Sequence, residues 1–190
     1  SGTAYQGLFR NPLADPYLIG VAAGAGLGAV LAMTVQWPYS LLGLLAVPAA
    51  AFLGGLGSVL AVAALSRSAN AALSGGRSAS ASLLLAGVAV SSFTTAVTSL
   101  LMLRANGELR RALVWLLGGA TLSGWLPVVA LLPYVLFGLG VLLTMGHALN
   151  VLQFGEEQAQ QLGLPVERVR RWVIGSATLV TAAAVAFSGI

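Results

Sequence analysis

LLGLLAVPAAAFLGGLGSVLAVAAL, residues 41–65, contains no Asp, Glu, Lys, Arg or His. A helix crosses the hydrocarbon of a bilayer with roughly 20 apolar residues, and this run is long enough to do so. Four other stretches are equally free of charge: Tyr17 to Val35, Ser80 to Leu103, Leu126 to Met145 and Trp172 to Ile190. Backbone groups in lipid must pair within their own segment, so each run reads as a helix. The expected fold is all-α, a polytopic transmembrane helical bundle with five spans, forming a single domain over residues 1–190.

Composition points the same way. Charged residues make up 7% of the chain, against about 25% in a soluble domain. The mean hydropathy is +0.93. The net charge of +4 comes from nine basic residues, every one an Arg. They are scattered over loops without interleaved aromatics, which argues against nucleic acid and for membrane lipid as the surroundings. The absence of cysteine excludes disulfides and thiolate metal sites. No cleavable signal peptide is visible. The chain opens on Ser1 and stops on Ile190 inside an apolar run, and it reads as a piece of a longer protein.

The arginines orient the bundle. Placing the loops with Arg10, with Arg67 and Arg77, and with Arg168, Arg170 and Arg171 in the cytoplasm leaves Arg104, Arg110 and Arg111 outside. The positive-inside rule favours that arrangement. Tyr17, Trp37, Tyr39, Trp115, Trp125 and Trp172 fall near span ends, where amphipathic rings settle.

Gly20, Gly24 and Gly28 recur every four residues and predict a face where another helix approaches closely. GAGLG there lacks the spacing and the preceding strand of a dinucleotide fingerprint. In the third span Ser92, Thr95 and Ser99 share one helical face. Such hydroxyls either bond back to their own helix or line a wet pathway. Asp15 followed by Pro16 has the chemistry of a helix start. In FGEEQAQQLGLPVERVRR, Glu156 and Glu157 suit the first turn of a short helix. Gly163 is placed to end that helix, and Pro165 to start the next. Composition leaves open whether this polar helix pair is a docking surface or a solvated loop.

RNPLADPYLIG (10–20), SLLLAGVAVSS (82–92) and LNVLQFGEEQAQQLGLPVERVR (149–170) resemble, in order and separation, the FecCD-type permeases of ABC importers for iron-siderophores, haem and cobalamin. The resemblance covers essentially the whole chain. It implies a ten-span subunit of the bacterial inner membrane, of which this sequence holds spans three to seven. It further implies a homodimer with the pathway at its interface, a cytoplasmic ATP-binding subunit and a periplasmic or lipid-anchored substrate-binding protein. The chain itself would need no cofactor, since ATP and Mg bind the partner ATPase. A coupling loop is expected over about residues 146–171. Within it the Phe154 to Leu164 helix, with Gly155, Glu156, Glu157, Ala159, Leu162 and Gly163, would contact that ATPase. Asn11 and Leu13 would form one cytoplasmic gate, and Ser80, Ala81 and Ser82 the other. Ser92, Thr95 and Ser99 would line the pathway, while Arg104, Glu108, Arg110 and Arg111 would face the binding protein.

The resemblance implies iron-siderophore as the commonest cargo, moved by ATP-driven alternating access. A transport subunit rather than an enzyme is expected, because the chain has no Lys for a phosphate loop and His147 has no second ligand nearby in sequence. An ion-coupled secondary transporter or channel is the alternative class. Such proteins usually keep an ionisable residue inside a span, and these five runs hold none.

Overall fold

The computed structural model describes residues 1–35, 41–72, 79–104, 109–119 and 124–190, and no strand occurs among them. The described helices are α1 (Gly2–Phe9), α2 (Val21–Met33), α3 (Leu41–Ala72), α4 (Ala79–Arg104), α5 (Leu109–Leu116), α6 (Leu126–Thr144), α7 (Gly146–Leu152), α8 (Glu156–Gln161) and α9 (Val166–Ser188). Helices α3, α4, α6 and α9 are long and apolar enough to cross a membrane. Trp37, Tyr39, Arg77 and Glu108, and the side chain of Ser80, lie outside the described residues.

The first expected span departs from a single helix. Asp15 Oδ1 accepts the Tyr17 N–H at 2.7 Å, and Pro16 follows as a helix start should. The turn so begun is a 3₁₀ segment, Pro16–Ile19, and it ends at Gly20 with φ +83°. That left-handed conformation breaks the backbone ladder, so α2 starts afresh at Val21 and is only 13 residues long. Gly20 therefore acts as a joint and lies outside the helix that carries Gly24 and Gly28. A Cβ there would lie 2.8 Å from Ser58 Oγ.

Gly24 and Gly28 do meet another helix. They face Ala50 and Gly54 of α3, and a Cβ at Gly28 would overlap the Ala50 carbonyl. Close backbone approach of this kind drives helix association in lipid, where apolar side chains gain nothing from leaving the solvent. Pro48 sits inside α3 and Pro133 inside α6, and both helices continue through them.

Helix α9 is the hub. It packs against α1, α2, α3, α6 and α8, and half of its apolar window is buried, against 11% for α6. It also begins earlier than the charge-free run Trp172 to Ile190, because Val166 to Arg171 extend the same helix on the polar side. Tyr5, fully buried in α1, shares a 3.0 Å hydroxyl–hydroxyl hydrogen bond with Thr178 of α9. Tyr5→Phe is expected to lower stability by about 1 kcal/mol. In a double-mutant cycle with Thr178→Val, the second change should add little to the first. Thermal unfolding in detergent checks both.

Trp115 is not an interfacial ring. It is buried on the inner face of α5 beside Ala112, in a cluster with Val30, Met33 and Val185. Trp125 and Trp172 are exposed, as rings at a membrane boundary would be.

Candidate functional site

One end of the bundle gathers the segments singled out in the sequence. Arg10, in a left-handed conformation with φ 50°, turns the chain out of α1. Asn11 Oδ1 then accepts the Leu13 N–H at 2.9 Å, a local turn that leaves Leu13 exposed and tucks Ala14 inward. A cleft of about 360 Å³ opens between Gln6, Arg10, Asn11 and Gln153. Across it, Arg10 Nη1 would lie 3.8 Å from a Cβ placed on Gly155. The Arg10 side chain thus reaches the residue before α8, and Asn11 shares the cleft with Gln153.

Helix α8 is shorter than the expected Phe154 to Leu164 segment. It begins after Gly155, whose φ of +124° and ψ of 152° fall in a region that glycine enters freely and other residues only under strain. It ends as the sequence predicts. The Leu164 N–H bonds the Ala159 carbonyl at 2.9 Å, and the Gly163 N–H bonds the Gln160 carbonyl at 2.9 Å. With Gly163 at φ +81°, this is a Schellman turn. Ala159 is completely buried, so one face of α8 rests on the bundle. Its other side is open: Glu157 is exposed, and Phe154 and Leu162 flank the helix at 74% and 73% exposure. The expected loop also holds a further short helix, α7, ahead of this unit.

The two first-turn carboxylates are not equivalent. Glu156 is engaged by Arg170 of α9, whose Nη2 donates to Glu156 Oε1 at 2.5 Å. Nη1 of the same guanidinium donates to Glu167 Oε1 at 2.6 Å. Arg170 is only 11% exposed. Sequence spacing pairs Glu167 with Arg170 one helical turn away. The partnership with Glu156 depends on the reversal at Gly163 and Pro165, which spacing along the chain does not reveal.

On α4, Ser92, Thr95 and Ser99 are all exposed and form one outward face, with the Ser99 hydroxyl also donating to the Thr95 carbonyl at 2.9 Å. Thr94 and Thr98 face inward and bond back to Val90 and Thr94 carbonyls. Ser82 is buried, with its hydroxyl 3.4 Å from that of Ser66 on α3, while Ala81 is exposed. Arg104, Arg110 and Arg111 are exposed in the α4–α5 region. An open apolar groove of about 570 Å³ runs between α2, α3 and α4, with the buried Ser58 hydroxyl at its wall. His147 is exposed, and no cluster of potential metal ligands occurs among the described residues.

The FecCD transport family matches this chain over residues 1–190. The chain is 43% identical over 189 residues to the cobalamin import system permease of Halobacterium salinarum, covering 48% of that protein. It is 35% identical over 189 residues to an uncharacterized ABC transporter permease of Bacillus subtilis, covering 52%. It is 34% identical over 198 residues to the hemin transport system permease of Yersinia pestis, covering 55%. All of this chain takes part in each match, so it spans about half the length of these relatives. Among solved structures, an ABC transporter assigned to the metal-chelate type, in an inward-facing conformation, superposes with a TM-score of 0.85 at 29% identity, over 100% of this chain and 58% of that one.

Proposed function

The chain belongs to the FecCD transport family, and from that membership we propose that it forms part of the permease body of an ABC importer in the cytoplasmic membrane. It works with a second copy of the permease, a cytoplasmic ATP-binding subunit and an external substrate-binding protein. The observation that carries the reading is α8. This short helix is held to the bundle through Ala159 and presents Phe154, Glu157 and Leu162 outward. With Phe154 and Leu162 exposed at its two ends and Glu157 between them, the open side of α8 offers both apolar and charged contacts to another protein. The reading assigns that surface to the ATP-binding subunit, with Asn11 and Leu13 gating the cytoplasmic exit beside it.

The cargo is a bulky metal chelate. Cobalamin, named for the 43% identical relative, is the substrate to test first. Haem follows, named for a 34% identical relative, and then iron-siderophore. The pathway face of Ser92, Thr95 and Ser99 carries no ionisable group, which suits a cargo that must pass without being held.

Co-purification in detergent of the full-length permease with its ATP-binding subunit tests the docking surface. A Glu157→Arg, Leu162→Asp double variant is expected to lose at least nine-tenths of the bound subunit, while eluting as a folded membrane protein. Full retention by the variant would remove α8 from the contact. Failure of the wild type to hold the subunit would sink the importer reading itself.

A further inference from the structure

A six-residue helix does not hold its shape or direction unaided, since nucleation is costly and so few backbone bonds form. Something must fix α8 against the membrane-crossing helix that follows it. The covalent connection is the short Leu162–Pro165 turn, whose backbone hydrogen bonds set the reversal at the C-terminal end of α8 but do not reach its first turn. Arg170 supplies a second attachment. It stands just over one turn into α9, is largely buried, and uses both arms of its guanidinium. One arm holds Glu167 on its own helix, which fixes the arginine rotamer. The other holds Glu156 at the first position of α8, the end away from the covalent turn. The helix is therefore fastened at both ends.

We propose that Arg170 is the positioning residue that fastens α8 to α9, so that the two move as one body and a displacement of α8 is delivered to the membrane-crossing helix. This rests on the reading of α8 as the ATPase contact, but the fastening itself is a property of the permease alone. A fork is required rather than a charge. Lysine presents a single ammonium and cannot hold two carboxylates in fixed, planar register. Glu156 then serves attachment, and the partner is met by Glu157 and the apolar residues beside it.

The test uses the full-length permease in nanodiscs, free of other cysteines. Spin labels are placed at Gln160→Cys on α8 and Ala184→Cys toward the far end of α9, both exposed positions. With Arg170 intact, one narrow distance is expected, unchanged when the ATP-binding subunit is added and trapped with ATP and vanadate. Arg170→Gln should broaden the distribution at least twofold and make it shift on trapping. Arg170→Lys should fall between the two. The exchanged pair Glu156→Arg with Arg170→Glu restores an α8–α9 attachment and should narrow the distribution again, which a general loss of folding would not do. With radiolabelled cyanocobalamin as the probe, Arg170→Gln should retain bound ATP-binding subunit while transport per ATP hydrolysed falls at least tenfold. An Arg170→Gln distribution as narrow as the wild type overturns the proposal. So does loss of the subunit from Arg170→Gln, which would make the arginine part of the docking surface. If the wild type binds no ATP-binding subunit, the importer reading fails while the distances still decide the fastening.

Discussion

Gly28→Ala is expected to leave little folded permease in the membrane, although it adds a single methyl group. The Cβ it creates overlaps the Ala50 carbonyl oxygen and lies 2.8 Å from the carbonyl carbon. The obstacle is backbone, which cannot rotate aside as a side chain can. Helices α2 and α3 would have to separate along the seam where Gly24, Gly28 and Gly54 bring them together. Overpacking a well-filled core costs about 1–3 kcal/mol and sometimes more, and here the separation also forfeits the close contacts that associate helices in lipid. We expect a loss of about 3 kcal/mol, read as a fall in thermal midpoint and in monodisperse yield from detergent. Gly57→Ala is the matched control. It sits one turn along α3 from Gly54, with nothing within 4 Å of its new Cβ, and should behave as wild type. Equal behaviour of the two variants would mean that the α2–α3 seam is looser than its geometry.

Gly155→Asn should cut transport by an order of magnitude for the opposite reason, with room for the atom but not for the angle. A Cβ at Gly155 meets nothing nearer than 3.8 Å. Its φ of +124° with ψ of 152°, however, lies where side-chain-bearing residues pay about 1–3 kcal/mol. The chain relieves that strain by swinging the start of α8, which carries Glu156 away from Arg170. Gly163→Asn is the informative partner. Its φ of +81° is left-handed, a region asparagine tolerates, so transport should stay within about twofold of wild type by the same conformational argument. Uptake of cyanocobalamin into proteoliposomes checks the pair. Comparable losses at both glycines would show that side-chain bulk, and not backbone angle, limits this loop.

Much of this architecture is legible in the residues, and what is not has identifiable causes. Charge-free runs find α3, α4, α6 and α9 because the lack of water in lipid forces helix on any such stretch. Gly163 followed by Pro165 marks the end of α8 because both residues act locally, one through its left-handed turn and the other through its missing N–H. Gly20 misleads for a related reason. Its spacing from Gly24 and Gly28 is helical, yet a positive φ at one residue breaks a helix without any sign in the hydropathy. Trp115 misleads because an aromatic beside a span suggests a boundary ring. Helix α5 instead turns that residue and Ala112 inward together while Arg110 and Arg111 face out. The face of Ser92, Thr95 and Ser99 follows from helical periodicity alone, and all three are exposed as one stripe. The Glu156–Arg170 pair is of another kind. It joins residues 14 positions apart, through a turn whose geometry decides which carboxylate comes within reach.

The short α2 bears on how the protein is made. Thirteen residues of α-helix rise about 20 Å, well short of the roughly 30 Å of hydrocarbon. Such a segment gains little by partitioning into lipid on its own as it leaves the translocon. Helix α3, emerging next, is long enough to insert and brings the glycine seam that α2 fits. The two are then best released sideways as a hairpin, with α2 waiting for its neighbour. Helix α2 thus owes its place in the bundle to the seam that Gly24, Gly28 and Gly54 form with α3.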